Sequence, residues 1–306
     1  MRRYHLAIAL DWEYDQDFVK LLEQAAQKRG LSTYVTWPKN LDETIYYLKH
    51  DKISFRFYYD RASDTSADFL TLHKLMLQKN IPVFDNLIKQ KWAADKANMQ
   101  FKFREEGISM PFTLILPPWR EQPHIYIPED DLNRLGAPFV IKPASTTGGG
   151  IGVVKNARSL KDILEVRQTF ADERYLVQKK IIPREQDGRR FWFRGFYTSG
   201  LIQLTWWNDL TYSYHLCTRQ EIERYDLLPL FDVVRRVARA CGLNFFSTEI
   251  TIDAAGELIS IDYVNEVCDM RLGSKFFDGV PDEIVKKIAG RIVDHVAEKL
   301  STVIFS

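Results

Sequence analysis

The chain is poor in several things that would narrow its class at once. Only three cysteines occur in 306 residues: Cys217, Cys241 and Cys268. They lie far apart, without the paired spacing of a metal site or the density of a disulfide framework, and are expected to be packed, reduced thiols. Long apolar runs are missing from the start. After Met1-Arg2-Arg3, "LAIAL" offers five apolar residues before the acidic "DWEYD", too few for a signal core or a membrane span. The expected location is therefore cytoplasmic, with no membrane partner. Charge of one sign is missing too. Basic residues number 42 and acidic residues 41, a net charge of +1, which argues against a broad surface for nucleic acid. No internal repeat or low-complexity tract occurs. What is present is 45% hydrophobic and 27% charged, the balance of a folded chain, long enough for roughly two domains of ~150 residues.

Strand and helix signals alternate over residues 1–90. "YHLAIAL", "STYVTW", "KISFRFYY" and "IPVFDN" read as strands. "DQDFVKLLEQAAQKRG", closed by Gly30, "LDETIYYLKH" and "SADFLTLHKLMLQKN" read as helices. This alternation predicts an α/β arrangement with a parallel, Rossmann-like sheet and crossover helices. "KWAADKANMQFKFREEGI" predicts one helix ending before Pro111. Strands are expected at 138–143, 151–154 and 175–181, with "SLKDILEVRQTFA" helical between the last two. The rest is α+β in character: "RFWFRGFY" with "LIQLTWW", "STEITID" with "ELISIDY", and a last helix in "DEIVKKIAGRIVDHVAEKL".

The stretch "FVIKPASTTGGGIGV", residues 139–153, sets flexible backbone beside one cation. Lys142 is followed by Ser145, Thr146 and Thr147, then by Gly148, Gly149 and Gly150. Glycine-rich backbone can turn its N–H groups toward an anion, and a lysine adds a point charge. No Gly-Lys-Ser/Thr follows, so this is not a Walker loop. The glycines lie between two predicted strands, so it is not a dinucleotide fingerprint either. A hairpin folding over phosphates fits, as does an ordinary mobile hairpin.

"STEITIDAAGELISIDYVNE", residues 247–266, reads as a hairpin turning at Asp253–Gly256. Pairing Asp253 with Gly256 sets Glu249 opposite Ser260 and Asp262 opposite Ser247, so the two carboxylates share a face as diagonal neighbours. A carboxylate in β-branched, apolar sequence is costly unless paired or bound to a cation. Hard oxygens that leave room for phosphate suit Mg²⁺; a salt-bridged surface face is the alternative.

Taken in order, these segments resemble the ATP-grasp superfamily over residues 91–275. Its members include D-alanine–D-alanine ligase, glutathione synthetase and the ribosomal-protein glutamate ligase. "DKANMQFKFREEGISMPFT" resembles the helix that puts a lysine, here Lys96, on the ATP phosphates. "FVIKPASTTGGGIGV" resembles the second ATP lysine, Lys142, with its phosphate-covering loop from Ser145 to Gly150. "YLVQKKII" is similar to the adenine hinge, with Gln178 and the backbone at Lys180 and Ile181 reading the base. Lys179 stands where the family usually carries glutamate, so Glu185 is a candidate for the ribose. Glu249 and Asp262 match the two acidic metal ligands. The family's acidic-x-Asn is one residue longer here, Asp262-Tyr-Val-Asn265, and Asn265 reaches the metal only if a bulge turns it back. The implied organisation is a Rossmann-like domain (1–90), a central subdomain with the glycine loop (91–180) and a C-terminal subdomain with the metal site (181–306).

The resemblance implies an ATP-dependent ligase using Mg²⁺, with two ions expected. A carboxylate is activated as its acyl-phosphate and joined to an amine or thiol, releasing ADP and phosphate. A kinase of small molecules on the same fold, or a non-catalytic ATP-binding domain, are the alternatives. Expected partners are small-molecule or peptide carboxylates and amines; a homodimer is allowed but not dictated. Arg190 on "RRFWFR" is the expected cation near the transferred phosphoryl group, or else a solvated strand residue. Arg271 in "CDMR" is a second catalytic candidate, and Arg61, ending a strand where open α/β sheets bind ligands, a substrate candidate. The aromatic run "TWWNDLTYSYHL" either lines an acceptor pocket or packs a sheet face.

Overall fold

Leu6–Leu10 is buried at every position, as a strand covered on both faces must be. It lies between Thr33–Thr36 and Tyr58–Arg61, with Val83–Phe84 beyond, all parallel. The computed structural model describes residues 1–145 and 150–302. The expected single strand "KISFRFYY" is two. Ile53–Phe55 leaves the sheet to pair with Arg2–Tyr4, and only Tyr58–Arg61 joins the larger ladder. Leu41–Lys49 and Leu70–Gln78 cover one face, over Ala7, Ala9 and Tyr58. The other face is covered by Gln16–Lys28 together with the last helix, Asp282–Thr302. Phe18, Leu22 and Ala26 of the former and Ile284, Ile288, Ile292 and Val296 of the latter share one core with Ile8.

The second sheet is antiparallel, in the order Thr113–Leu116, Tyr175–Lys179, Phe139–Pro143, Val154–Ala157. Its last strand begins three residues later than the expected 151–154. The third sheet, also antiparallel, runs Ser213–Leu216, Leu201–Asn208, Trp192–Thr198, Phe245–Ile252, Leu258–Asn265. Leu228–Cys241 packs across it, with Leu230, Val234 and Val237 against Phe193, Leu204 and Phe246. Gly195 makes that approach possible, because a Cβ there would lie 2.5 Å from Val234 Cγ2. This helix was not expected, although proline opens it and Gly242, in the left-handed conformation, closes it.

The long helix expected around "KWAADKANMQF" is broken in two, Leu87–Ala94 and Lys96–Glu105. Asp95 between them is extended, and its side chain accepts from the N–H groups of Ala97 and Asn98. A capping aspartate starts a new helix rather than continuing the old one. Lys96 thus sits in a first turn, where its own N–H donates to the Ala144 carbonyl.

All three cysteines are buried and free, and burial pushes each thiol up to about 12. Among the described residues no helix is long and apolar enough to cross a membrane.

Arg61, the expected substrate residue, is engaged within the protein. Its Nε and Nη2 donate to the Asp15 carboxylate at 2.8 and 2.7 Å, Nη2 also to the Cys268 carbonyl at 2.9 Å, and Nη1 to the Tyr59 hydroxyl at 3.3 Å. Both members of the pair are buried. Arg61 therefore ties the first sheet to the segment following the third. Arg61→Met, which leaves Asp15 buried and unpaired, should cost ~3–5 kcal/mol in urea unfolding. Arg61→Met/Asp15→Leu should cost less than the single change, and the reverse order would refute the anchoring role.

Candidate active site

The second and third sheets meet at the strand Leu258–Asn265. The hairpin containing it turns one residue later than expected, since the Asp253 N–H donates to the Glu257 carbonyl. Ile252, Thr251 and Ile250 pair with Leu258, Ile259 and Ser260, but Glu249 pairs with Asp262 and Ser247 with Asn265. Two register shifts therefore put one extra residue before Asp262 and another between Asp262 and Asn265. The two carboxylates are directly opposite rather than diagonal, which corrects the expected register. The second shift is the bulge on which Asn265 depended: it returns Asn265 opposite Ser247, two residues from Glu249. The first shift has its own use, because the carbonyl of the extra residue, Ile261, accepts from Lys142 Nζ at 2.9 Å.

Three cations and one indole converge on this strand pair. Arg194, the cross-strand partner of Glu249 on its other side, donates to Glu249 Oε1. Trp192 Nε1 donates to Glu249 Oε2 at 3.0 Å. Lys96 Nζ lies 3.5 Å from Asp262 Oδ1. Lys142 is only 6% exposed, with its ammonium 5.4 Å from the Tyr263 ring centroid. Burial and the like charge of Lys96 push Lys142 down to about 8, against the pull of Asp262. Burial would raise the Asp262 carboxyl, but Lys96, Lys142 and Arg194 outweigh it and hold the group below its ordinary value. Glu266, one residue beyond Asn265, is pushed up to about 7, chiefly by burial.

The aromatic run divides between core and exposed positions. Trp206 packs into the core against Phe191 and Phe193. Trp207 and Tyr214, paired across strands, lie under the Arg194 guanidinium at 4.5 and 5.8 Å. Tyr212 is exposed and receives a hydrogen bond from Lys155 Nζ at 3.2 Å, and His215 faces solvent.

Most of the remaining candidates have partners of their own. Arg190, the expected phosphoryl cation, is engaged by Asp209 at 3.0 and 3.2 Å and by Glu185 at 2.9 Å. It is not brought to the carboxylates; Arg194, four residues on, occupies that place. The pairing that puts it there, Trp192–Thr198 against Phe245–Ile252, was not expected; the expected partner of "RFWFRGFY" was "LIQLTWW" alone. Glu185 is exposed and bound to Arg190. Arg271 is held by Asp269 at 2.7 Å and Asp278 at 2.8 Å, beside Trp12 and Phe276. Gln178 is buried, Lys179 is exposed, Lys180 donates to Asn156 at 2.7 Å, and Ile181 is half-buried. Ser145 donates to Glu173 at 2.5 Å, and Gly150 is exposed with φ 77°. Thr146, Thr147, Gly148 and Gly149 lie outside the described residues.

Among the described residues no three histidine, cysteine or acidic side chains gather as a metal cage. Two facing carboxylates, with Asn265 in line, nonetheless suit a hard cation that takes its remaining oxygens from water and phosphate. Lys142 yields a test without metal. In the unfolded chain its pKa is the ordinary 10.5, and in the fold about 8. Between these values the unfolded chain binds more protons, so this residue's contribution to stability rises with pH across that window. The stability difference between Lys142→Met and the parent should therefore move in the parent's favour from pH 8 to 10.5 in urea melts, whereas parallel profiles would contradict the shift.

No family model matches the sequence, and no curated protein matches it. Solved structures do. An ATP-grasp RimK domain protein from Sphaerobacter thermophilus superposes with a TM-score of 0.63 at 18% identity, over 95% of this chain and 98% of that one. D-alanine–D-alanine ligase from Bacillus anthracis, complexed with ATP, gives 0.64 at 13%, over 98% of each chain. The macrocyclase MdnC from Microcystis aeruginosa, bound with precursor peptide MdnA, gives 0.60 at 14%, over 95% of this chain and 99% of that one. At such identities the likeness is one of architecture, and the architecture of this chain is the ATP-grasp fold.

Proposed function

We propose that the protein is an ATP-dependent ligase that activates a carboxylate as its acyl-phosphate and passes the acyl group to an amine or thiol. The observation that carries this reading is the gathering of Lys96, Lys142 and Arg194, from three separate segments, around Glu249 and Asp262. A polyphosphate needs several cations to replace its hydration. Lys96 and Lys142 would meet the phosphates, while Glu249, Asp262 and Asn265 would hold Mg²⁺, which offsets phosphate charge when bound. Arg194 stands beside the same carboxylates and, with its guanidinium 4.5 Å from the Trp207 ring centroid, would stabilise charge on the transferring phosphoryl group. A substrate carboxylate oxygen takes the γ-phosphoryl group as ADP leaves; the nucleophile then attacks the acyl carbon and phosphate leaves. Neighbours of this fold complexed with ATP, or bound with a precursor peptide, support small-molecule or peptide substrates.

Lys96→Met or Lys142→Met should weaken Mg-ATP binding in calorimetry, and unchanged affinity in both would remove the phosphate site. Once a screen of acids, amines and peptides finds ADP release, hydroxylamine replaces the amine. An ATP- and acid-dependent hydroxamate is the expected product; a stable phosphate ester without any hydroxamate would mark a kinase instead. Arg194→Lys should lower kcat by about 10²-fold or more with a small change in KM for ATP. Arg190→Lys should stay close to the parent, and equal effects of the two substitutions would count against Arg194.

A further inference from the structure

Arg271 gathers partners from two loops. Its Nη2 donates to Asp269 at 2.7 Å and to Asp278 at 2.8 Å, and its Nε to Asp269 at 2.8 Å. The guanidinium lies 5.6 Å from the Trp12 ring centroid and 5.1 Å from that of Phe276. Tyr14 joins the two rings, 5.2 Å from Trp12 and 5.6 Å from Phe276. Trp12 is 40% exposed, Tyr14 42%, and Phe277, next along the same loop, 79%. Aromatic side chains grouped in solvent around an arginine have the composition of a binding hot spot rather than of an ordinary surface.

This surface is built in advance. Trp12 and Tyr14 follow Leu6–Leu10, a central strand of the first sheet. Residues 271–280 form a loop closed by its own backbone. The Val280 N–H donates to the Arg271 carbonyl and the Gly273 N–H to the Val280 carbonyl, each at 2.8 Å. A Cβ on Gly279 would stand 2.6 Å from the Leu272 carbonyl, so the closure requires glycine. Ser274 Oγ donates to Asp282 of the last helix and Lys275 Nζ to Asp17 of Gln16–Lys28, each at 2.7 Å. A partner therefore has little left to order on binding.

Charge and position say what fits. Asp269 and Asp278 share one arginine. Asp11 and Glu13, which alternate with Trp12 and Tyr14, are exposed and in no ion pair among the described residues. The rim is therefore acidic, which repels nucleic acid and anionic lipid and suits lysine or arginine beside apolar side chains. Asp269 also links this surface to the cleft. The Tyr214 hydroxyl, raised chiefly by burial, feels the charges of Arg194, Glu249 and Asp269, and Tyr214 lies under Arg194.

We propose that this aromatic shelf docks a polypeptide substrate through a segment that mixes apolar and basic side chains, outside the cleft that uses its reacting group. That the docked chain is a substrate rests on the ligase reading of the cleft; that it docks does not.

The test is fluorescence anisotropy on the full chain, without nucleotide, with three short labelled peptides: alternating lysine and leucine, glutamate and leucine, and lysine and serine. The lysine–leucine peptide should bind about tenfold or more tightly than either of the others. Trp12→Ser/Tyr14→Ser should weaken it by about tenfold or more while the circular dichroism spectrum stays that of the parent. Phe277→Ser, at a side chain largely in solvent, should weaken it too, so the result stands even if the double variant fails to fold. Equal binding of a control peptide, affinity unchanged in both variants, or no binding at all would overturn the proposal. So would a dimer in sedimentation that the double variant disperses, since the shelf would then belong to a second copy of this chain. Peptide binding by a parent that releases ADP with no acid, amine or peptide would leave the docking surface in place and bring down the ligase reading instead.

Discussion

Two carboxylates held face to face in a half-buried cleft cannot both stay charged without cations close by. That requirement organises the centre of this molecule. Glu249 and Asp262 are opposite one another, and the answering charges come from a strand of the same sheet, a strand of the next sheet and the first turn of a helix. Each cation is fixed by ordinary local devices. Arg194 rests on Trp207 and Tyr214, Lys142 is tied to the carbonyl freed by a bulge, and Lys96 is aimed by the aspartate that caps its helix. Charge balance at one strand pair thereby draws three elements into a single cleft.

Arg61 and Asp15 offer the contrast. They too are an arginine and a carboxylate out of water, but theirs is a closed arrangement. The guanidinium is bidentate on one carboxylate, and its remaining contacts are a hydroxyl and a carbonyl of the protein. The Asp262 side chain keeps 37% exposure, so the group between Lys96 and Lys142 still faces solvent. A closed pair holds parts of a fold together; an open one has valence left for a ligand.

Much of this was legible from the residues alone. The all-apolar run Leu6–Leu10 and the alternation after it announced a parallel sheet, and the two acids flanking a short turn announced a hairpin with a charged face. What escaped was set by tertiary context. The longer spacing of Asp262-Tyr-Val-Asn265 pointed to the second bulge, but nothing in "ELISIDY" signals the first, because an inserted residue becomes visible only against its partner strand. Arg190 and Arg194 lie on one short segment, and only the register against Phe245–Ile252 tells them apart. Arg61 at a strand end looks the same whether it awaits a substrate or Asp15. Asp95 inside a helical pattern was a capping signal that could have been read. So were the proline and Gly242 that bracket Leu228–Cys241.

The last helix carries a consequence for how the protein is made. Asp282–Thr302 covers the face of the first sheet that contains Ile8 and Leu10. On the ribosome those strands emerge long before the helix that completes their core. At the ~5–20 residues per second of synthesis, that apolar face waits about 15–60 s for its cover. During that interval the first sheet is a surface for chaperones to shield. Loss of the distant helix would therefore injure a sheet that is built long before it.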